Sequence, residues 1–377
     1  MWRRVAAVNF ADVRPFSFRC LTGCGFCCVS SVPAVDASEA PGLGDFAVAH
    51  ADGTLSLRMV DGGCAALGDD LACTAYDVRP TSCHLYPFHI HAGRRVQVTA
   101  TLACPGVQPT VGDTAADGLD APPAESAAAA AAAHALARDG AQLAVDAARA
   151  TFATFDERMD EWGVRATPDR LRKAFLPHAT RLANLHALPA FFEAIAPGEL
   201  MLSDKRPQEA IGALFETATT LEPRLLLADM AQTRATHARA ADAVDDALTW
   251  WHIEVGNEEL TTTLRGHVEA VTTAWSDLPT HAELTAQEHL ASYLERLMHR
   301  DHVEGTAAWI VDQSGYQATP AAAYARVLAE ASVHAWLMAG SHAARDGRSL
   351  VTQPDMAFGL RAADGHVATW PTIGAIL

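Results

Sequence analysis

Hydrophobic and polar residues alternate with a period of two over two pairs of short stretches near the N-terminus. The pairs are 46–50 with 54–58 and 88–91 with 95–99. Asp52-Gly53 separates the first pair and Gly93 lies within the second gap, and alternation around a glycine-containing turn is typical of β-hairpins. The pattern predicts two hairpins, the first with a type I′ turn at Asp52-Gly53. On the second, we expect His89 and His91 to be exposed on the polar face.

Beyond position 125 the apolar residues recur with helical spacing. Ser126 opens an alanine-rich stretch, and alanine is the best helix former. Further helical patterns lie near 168–195, 205–232, 234–254, 258–275, 281–300 and 320–343. Leu290, Leu294, Leu297 and Met298 form an i, i+4, i+7, i+8 stripe, which is typical of a helix face in a core. The pattern predicts an all-α bundle.

Composition changes divide the chain into four parts. Residues 1–106 contain the hairpins and every cysteine, and we interpret them as a Cys-cluster metal-binding domain. Residues 107–125, rich in Gly, Pro, Thr and Asp, predict a linker. Residues 126–349 form the helical domain, and 350–377, which lack helical periodicity, predict an extended C-terminal tail. The expected fold class is a small metal-organised Cys-rich α+β module with short hairpins, followed by an all-α Ala-rich helical domain.

The charge is distributed unevenly. The 377 residues contain 28 Lys and Arg against 45 Asp and Glu, which gives a net charge of −17. Residues 1–105 carry eight Arg and nine acidic residues, so −16 falls on residues 106–377. An acidic surface repels phosphate backbones, so we expect no nucleic-acid partner. The acidic helical domain would instead suit a protein substrate or partner.

Targeting and membrane signals are missing from the sequence. No stretch approaches about 18 uncharged apolar residues, so we expect no membrane-spanning helix. The N-terminus lacks the continuous apolar region and the small-residue cleavage site of a secretory signal. We therefore expect a cytoplasmic protein without a membrane partner.

The cysteines carry the clearest chemical signal. All eight lie in one stretch: Cys20, Cys24, Cys27, Cys28, Cys64, Cys73, Cys83 and Cys104. Cytoplasmic thiols are kept reduced, so such crowding favours metal ligands over disulfides. A disulfide between the neighbours Cys27 and Cys28 would strain the backbone, whereas the two thiolates can ligate one cluster or two centres. Gly23 and Gly25 permit the positive-φ turns that aim several sulfurs at one point.

The cysteine spacing resembles a known family. The motifs are Cys20-x3-Cys24-Gly-x-Cys27-Cys28, Gly63-Cys64, Cys73-x2-Tyr76, Arg79-Pro80-x2-Cys83-x2-Tyr86-Pro87-Phe88 and Cys104-Pro105-Gly106. Their order resembles the YkgJ-type cysteine-cluster family, or CxxCxxCC family, over residues 16–106. The resemblance implies a zinc- or iron-chelating domain, which is often described as an iron-sulfur oxidoreductase. A more distant similarity is to the flagellin lysine N-methylases, which share a Cys-Cys pair, a late Cys-Pro and a long helical remainder.

The identity of the metal is open between two alternatives. Structural zinc sites usually contain paired Cys-x2-Cys knuckles, and only Cys24 and Cys27 have this spacing. Four thiolates suffice for one [4Fe-4S] cluster, so eight allow two clusters, or one cluster and a second metal site. We favour an iron-sulfur cluster, with zinc as the alternative. No nucleotide-binding or hydrolase motif is present, and no catalytic residue is identified.

Three functions follow from these alternatives. The first is an iron-sulfur protein with redox or cluster-assisted activity. The second is an iron-sulfur-containing protein-lysine N-methyltransferase, although no motif for S-adenosylmethionine is present. The third is a structural zinc-binding interaction protein, in which the metal would stabilise the fold rather than perform chemistry.

Several charged residues and histidines allow a metal-related role and a simpler one. Arg79, Arg94 and Arg95 either offset thiolate charge or are surface residues on turns. The histidines His89 and His91 could supplement the metal site, but exposed strand positions are the preferred interpretation. The helical pairs Glu295 with His299 and Glu330 with His334 could hold a di-metal centre, but are interpreted as surface partners.

Overall fold

The structure is a computed structural model, and part of the chain is described by it. The described residues are 8–10, 16–18, 21, 23–30, 32–60, 62–109, 152–158, 160–161, 168–195, 200, 202, 206–234, 237–244, 247–255, 259–264 and 270–376. The expected linker beyond residue 109 and the alanine-rich helix opened by Ser126 lie outside them, and so does Cys20. Residues 152–158 are helical.

Besides the helical residues 152–158, the described ranges contain twelve helices. They are α1 Cys27–Ser30, α2 Ala40–Leu43, α3 Thr81–Leu85, α4 Pro168–Phe175, α5 Ala179–Leu182, α6 Leu188–Ile195, α7 Pro207–Leu214, α8 Pro223–Arg234, α9 Leu284–Leu297, α10 Asp301–Gln313, α11 Pro320–Arg345 and α12 Gln353–Val367. Short 3-10 segments occupy Gly44–Phe46, Tyr76–Val78, Leu176–His178 and Trp275–Asp277. None of the helices in these ranges combines the length and the apolar content needed to cross a bilayer.

Strands occur at both ends of the chain and in its middle. They are β1 Val8–Phe10, β2 Phe16–Phe18, β3 Ala47–Ala49, β4 Leu55–Leu57, β5 Met59–Val60, β6 Gly63–Cys64, β7 Phe88–Ala92, β8 Val96–Ala100, β9 Val107–Pro109, β10 His237–Val244, β11 Ala247–Val255, β12 Glu259–Leu264, β13 Ala270–Ala274 and β14 Ala375–Ile376. The two four-stranded sheets have the orders β1-β8-β7-β14 and β10-β11-β12-β13.

Both predicted hairpins are present. β3 pairs antiparallel with β4, and β7 with β8 in the register Ile90 to Val98. The turn prediction for the first hairpin is wrong, because Gly53 alone of the Asp52-Gly53 pair has a positive φ, at 84°. A type I′ turn needs a positive φ at both residues. Asp52 instead accepts a hydrogen bond from the Thr54 backbone N–H at 3.0 Å.

The all-α expectation is wrong for the described residues 237–244, 247–255, 259–264 and 270–274, which form the antiparallel sheet β10–β13 rather than two helices. The sequence from 237 to 274 contains six Thr, four Val and two Trp, whose branched or aromatic side chains suit a pleated surface better than a helix. Trp251 and Ile253 are buried, while Glu254 is exposed. That period-two burial is the strand signal that the helical interpretation missed.

The expectation of an extended tail over 350–377 is also wrong, because α12 occupies most of it. Thr352 and Asp355 form a capping box at its start, with Pro354 in the first turn, which is a recognised helix-start signal. Gly359 and Gly365 weaken the helical pattern in the sequence. Packing against α11 explains Gly359, since a Cβ there would lie 2.3 Å from the Ala335 carbonyl oxygen.

The main core lies among the helices that the sequence predicted correctly. Helical structure is found within 168–195, 205–232, 281–300 and 320–343. The stripe of α9 is fully inside this core, since Leu290, Leu294 and Leu297 have no exposed surface. Leu102, Cys104 and Val107, which follow β8, belong to the same core. The late part of the cysteine segment is therefore packed against the helices.

A buried carboxylate joins the second hairpin to three helical elements. Asp364 of α12 is fully buried and accepts hydrogen bonds from Tyr293 Oη at 3.0 Å and Arg300 Nη1 at 2.6 Å. Its second oxygen accepts from the Leu102 backbone N–H at 2.7 Å and Thr101 Oγ1 at 3.1 Å. Four donors satisfy the carboxylate, which is the condition for burying a charge without a large penalty.

The expectation that His89 and His91 are exposed is wrong. His91 is 3% exposed, and the second face of β7 is covered by α10 and by the segment that leads into β14. The His91 and His302 rings lie 5.7 Å apart in an edge-to-face arrangement. Burial lowers the pKa of all three histidines, that of His302 to about 3. These rings are therefore neutral components of the contact between hairpin and helices.

The helical Glu/His pairs are not simple surface partners. Glu330 is 2% exposed and accepts a hydrogen bond from Arg326 Nε at 2.7 Å, while His334 stacks on His366 at 4.5 Å. In the other pair, His299 Nδ1 lies 3.1 Å from an Arg172 nitrogen. Both pairs are thus partly buried. The partners of both histidines come from neighbouring helices, and the spacing of Glu and His in the sequence cannot indicate them.

Replacing Gly359 with Ala should destabilise the protein by about 1–3 kcal/mol, because the added methyl overlaps backbone atoms of α11. Chemical denaturation measures the change in the free energy of unfolding. Gly42→Ala is the matched control, since a Cβ there meets nothing within 4 Å. Equal stability of the two variants would contradict the close packing of α11 and α12.

Replacing His302 with Gln should reduce the sensitivity of the fold to acid. The fold favours neutral His302, whose pKa is lowered by burial to about 3, so stability present above about pH 6.5 is lost as the pH falls toward 3. At pH 5 this loss is about 2 kcal/mol. Urea unfolding at pH 7 and pH 5 measures it, with exposed His84→Gln as control. If the His302→Gln variant loses as much free energy of unfolding between pH 7 and pH 5 as the wild type, His302 is not the source of the acid sensitivity.

Candidate metal centre

The first cysteine group lies on a glycine-shaped loop that leads into α1. Gly23 and Gly25 both have positive φ, at 66° and 57°, as the sequence predicted. A Cβ at Gly25 would lie 2.8 Å from Leu67 Cδ1 and 3.2 Å from the Leu71 carbonyl oxygen. Glycine is thus required there by both backbone conformation and close packing. The loop delivers Cys27 and Cys28 as the first two residues of α1.

Five thiols are gathered in the structure. They are Cys27, Cys28, Cys64, Cys73 and Cys83, which influence one another electrostatically. Cys64 belongs to a small core with Val35, Leu43, Leu57, Ala66 and Ala75, against which Cys28, Cys73 and Cys83 pack. We call these five residues the thiol cluster. It unites cysteines that are up to 56 positions apart (27 to 83) in the sequence.

Within the thiol cluster, Cys27 is the group poised to be a thiolate. The Cys28 thiol donates a hydrogen bond to it, and the Arg79 guanidinium adds a favourable charge, so the pKa of Cys27 is lowered to about 7. The same hydrogen bond raises the pKa of Cys28. Cys27 is also exposed. The pair therefore shares one negative charge at the surface of the cluster.

The less exposed thiols Cys64 and Cys83 favour the protonated form instead. Burial raises the pKa of Cys64, and it raises that of Cys83 to about 12. Neighbouring cysteines raise both further, because adjacent thiolates repel one another. A bound cation removes this repulsion, since metal binding displaces thiol protons. The cluster thus fits a cationic ligand better than it fits five free thiolates.

The remaining cysteines have other surroundings. Cys24 packs against a second small core of Phe26, Val29 and Ala103. Cys104 is buried in the main core beneath the helices. Cys20 lies outside the described residues. The eight predicted ligands thus divide into a group of five, one cysteine in the glycine loop, one in the core and one that is not described.

The three arginines considered from the sequence have different roles. Arg79 acts on the thiol cluster, since it lowers the pKa of Cys27, and its guanidinium stacks on the Tyr76 ring at 3.6 Å. Arg94 instead binds Asp156 through two hydrogen bonds of 2.6 and 2.7 Å. Arg95 pairs with Asp301 at 2.5 and 2.8 Å. The last two hold the hairpin to the helical region rather than offset thiolate charge.

Two residues near Cys104 were not found by sequence reasoning. Arg361 Nη1 lies 3.1 Å from the Cys104 carbonyl oxygen, and Asp364 holds the preceding backbone. Both lie on α12, in the stretch that the sequence predicted as extended. Recognition of the Thr352 and Asp355 capping box would have placed them on one helix face, three residues apart.

The fit to a metal rests on donor chemistry. In the described residues, which leave out Cys20, no group of three or more His, Cys, Asp or Glu side chains is arranged to hold a metal ion. The donor set is nevertheless that of a soft-metal site: several thiols in one cluster, a lowered pKa at Cys27 and a guanidinium beside it. Thiolates of this kind bind zinc, copper(I) and iron-sulfur clusters. The types of donor present therefore suit such a group.

Comparison with known proteins agrees with this chemistry. Residues 19–105 match the family model CxxCxxCC, described as “Putative zinc- or iron-chelating domain”. The resemblance drawn from the cysteine spacing is therefore confirmed for this segment, and the match supports metal binding there. The distant similarity to flagellin lysine methylases stays a prediction. Comparisons with curated proteins and with solved structures give no match.

Replacing Arg79 with Ala should raise the pKa of Cys27, because the variant loses a nearby positive charge. The pH profile of Cys27 alkylation in metal-free protein, followed by peptide mass spectrometry, measures the shift. Arg58→Ala is the control, since Arg58 is exposed and is not among the groups that lower this pKa. An unchanged profile in Arg79→Ala would contradict the electrostatic role of Arg79.

Proposed function

We propose that the chain is an iron-sulfur protein whose thiol cluster holds the metal group and supports redox or cluster-assisted chemistry. The eight cysteines named from the sequence are the proposed ligand set. The acidic helical region would offer a surface for a protein substrate or partner. A division into a cysteine domain and a helical domain, joined near residues 107–125, is part of the proposal.

The observation that carries the proposal is the gathering of five thiols within the family-matched segment. Cys27, Cys28, Cys64, Cys73 and Cys83 exceed the four thiolates that one [4Fe-4S] cluster uses. Zinc sites of four thiolates usually draw on paired Cys-x2-Cys knuckles. Here Cys64, Cys73 and Cys83 are each separated by eight or nine residues. That spacing favours a cluster over a zinc knuckle.

The chain's own residues would set the properties of such a group. Apolar side chains around Cys64, including Leu57 and Ala66, exclude water from one side of the thiol cluster. Arg79 supplies positive charge that acts on exposed Cys27. When bound, an iron-sulfur cluster supplies one-electron transfer, and its potential depends on burial, net charge and hydrogen bonds to sulfur. The exposed Cys27 side is the shorter path for an electron or a substrate.

Anaerobic absorption spectroscopy with iron, sulfide and zinc analysis tests the proposal on the purified full chain. Iron together with sulfide is the expected result. Zinc without iron would overturn the proposal in favour of the structural zinc alternative, which the family description also supports. Absence of any metal from anaerobically prepared protein would overturn metal binding itself.

The methyltransferase alternative makes a separate prediction. It requires binding of S-adenosylmethionine by the iron-containing protein, which isothermal titration calorimetry measures. No heat of binding would leave the redox role as the function of the cluster. Saturable binding would replace it with group transfer.

Replacing Cys28 with Ser should lower the metal content below about half that of the wild type, because a hydroxyl oxygen binds soft metals poorly. Ser82→Ala is the control, since Ser82 neighbours Cys83 but donates its hydrogen bond to the Ala34 carbonyl. Metal analysis by mass spectrometry after gel filtration measures both. Full metal content in Cys28→Ser would remove Cys28 from the ligand set.

A further inference from the structure

Strand β14 covers one edge of the sheet that contains the second hairpin. The sheet order is β1-β8-β7-β14, so β7 would be an edge strand without β14. The two strands pair antiparallel in the register Ala375 to Ala92 and Ile376 to His91. An uncovered edge strand presents backbone N–H and C=O groups to which another extended segment can bind. Residues 372–376, which we call the strap, therefore occupy a position that suits an extended peptide.

Helix α10 forms the other wall of the groove that holds the strap. The Ile373 N–H donates to the Gly305 carbonyl at 2.9 Å, and Thr372 Oγ1 donates to the His302 carbonyl at 3.4 Å. On the opposite wall, His91 Nε2 donates to the Ile373 carbonyl at 3.3 Å. The main chain of the strap is thus bound from both sides. Binding through the main chain at a sheet edge is how proteins recognise extended peptides by strand addition.

Two glycines allow the close fit between the groove and the strap. A Cβ at Gly305 would lie 2.7 Å from the Ile373 carbonyl oxygen and would overlap Thr372 Oγ1. Glycine is unfavourable inside a helix, and the packing of the strap accounts for its presence in α10. Gly374 has a φ of +110°, and a Cβ there would lie 2.8 Å from the Ala92 carbonyl oxygen. A segment in this groove therefore needs glycine at the position of Gly374.

The strap is held less firmly than the chain that precedes it. Trp370 is 5% exposed and belongs to the main core. Pro371 is exposed, and Thr372, Ile373 and Gly374 are half-buried. In the described residues the ladder with β7 contains two residue pairs. Segments with few buried apolar contacts open at a low free energy, so the strap can leave the groove while Trp370 stays in place.

The chemistry of the strap indicates what else the groove would bind. Its sequence, Thr-Ile-Gly-Ala-Ile, contains no charged side chain. The groove binds it through main-chain groups and through His91, whose pKa is lowered by burial. A second copy of the chain would bring another net charge of −17, and like charges oppose association. A separate uncharged peptide meets no such repulsion.

We propose that the groove between β7 and α10 is a binding site for an extended, uncharged peptide segment with glycine at the position of Gly374, and that the strap is its built-in occupant. The incoming segment pairs with His91 and Ala92 when the strap leaves. The two segments compete for the same main-chain partners, so the strap is a reversible cover of the site. The inference does not depend on the metal group.

The test uses a fluorescently labelled peptide with the sequence of residues 370–377 as the probe, and full-length chains that differ in the strap. Gly374→Val should release the strap, because valine is strained at a φ of +110° and its Cβ meets the Ala92 carbonyl. Fluorescence anisotropy should then show saturable binding, about 10-fold or more tighter than in the wild type, where the strap competes. Gly347→Val is the matched control. Gly347 also has a positive φ, of 69°, but a Cβ there meets nothing within 4 Å, so this variant should bind no better than the wild type.

Ile373→Ser opens the groove by a second route. Serine removes the apolar contact of Ile373 with the main core without straining the backbone, so this variant should also bind the peptide more tightly than the wild type. Adding Gly305→Ala to either variant should abolish binding, since the new methyl occupies the space of the Thr372 hydroxyl. A peptide with Val in place of Gly374 should not bind.

Three results would overturn the proposal. The first is no saturable binding in Gly374→Val and Ile373→Ser chains whose circular dichroism matches the wild type. The second is peptide binding that survives Gly305→Ala. The third is unfolding of both strap variants, which would make the strap a required part of the fold. Light scattering adds a further check: if the Ile373→Ser chain forms dimers instead of binding the peptide, the groove accepts a second copy and the proposed occupant is wrong.

Discussion

The arrangement of the second hairpin, the helices and the buried residues 101–107 depends on the ion pair between Asp364 and Arg300. Asp364 has no exposed surface, and Arg300 is 7% exposed. Removing one partner of such a pair typically costs about 3–5 kcal/mol, because the other charge stays buried. The hydrogen bonds from Tyr293 and Leu102 extend the pair into α9 and into the turn after β8. One carboxylate thereby fixes segments that are more than 260 positions apart in the chain.

This contact explains how a cysteine segment with little core of its own is held. The apolar cluster around Cys64 and the one around Phe26 are small, and small cores provide little stability. The second hairpin is fastened at its tip as well, where Arg94 pairs with Asp156 and with buried Glu304. Burial raises the pKa of Glu304 to about 7. The contact between Arg94 and Glu304 therefore involves a carboxyl group that titrates near neutral pH. The helices and the late part of the cysteine segment are thus joined by a common core and by buried ion pairs.

Part of the candidate metal site could be predicted because some of its features depend only on neighbouring residues in the sequence. Cysteine spacing and the glycines at 23 and 25 indicate metal chemistry because ligand type and turn geometry are local properties. The Leu290, Leu294 and Leu297 stripe likewise indicates its helix because periodicity is local. The gathering of Cys28 with Cys64 and Cys83 is not local. It depends on how the intervening turns fold, and spacing alone leaves the grouping of eight cysteines open.

The sequence by itself determined the cysteine-cluster family of the first segment, the two hairpins and most of the helices. Only the tertiary structure decided that strands β10 to β13 form a sheet, that α12 replaces an extended tail, and that His91 is buried. Local signals for the sheet and for α12 were present but weak, and what covers each of these three features is distant in sequence. Trp251 requires a covering surface, Gly359 requires the backbone of α11, and Asp364 requires donors from three other segments. Local patterns cannot encode such contacts, because burial and hydrogen bonding are satisfied only when the segments meet.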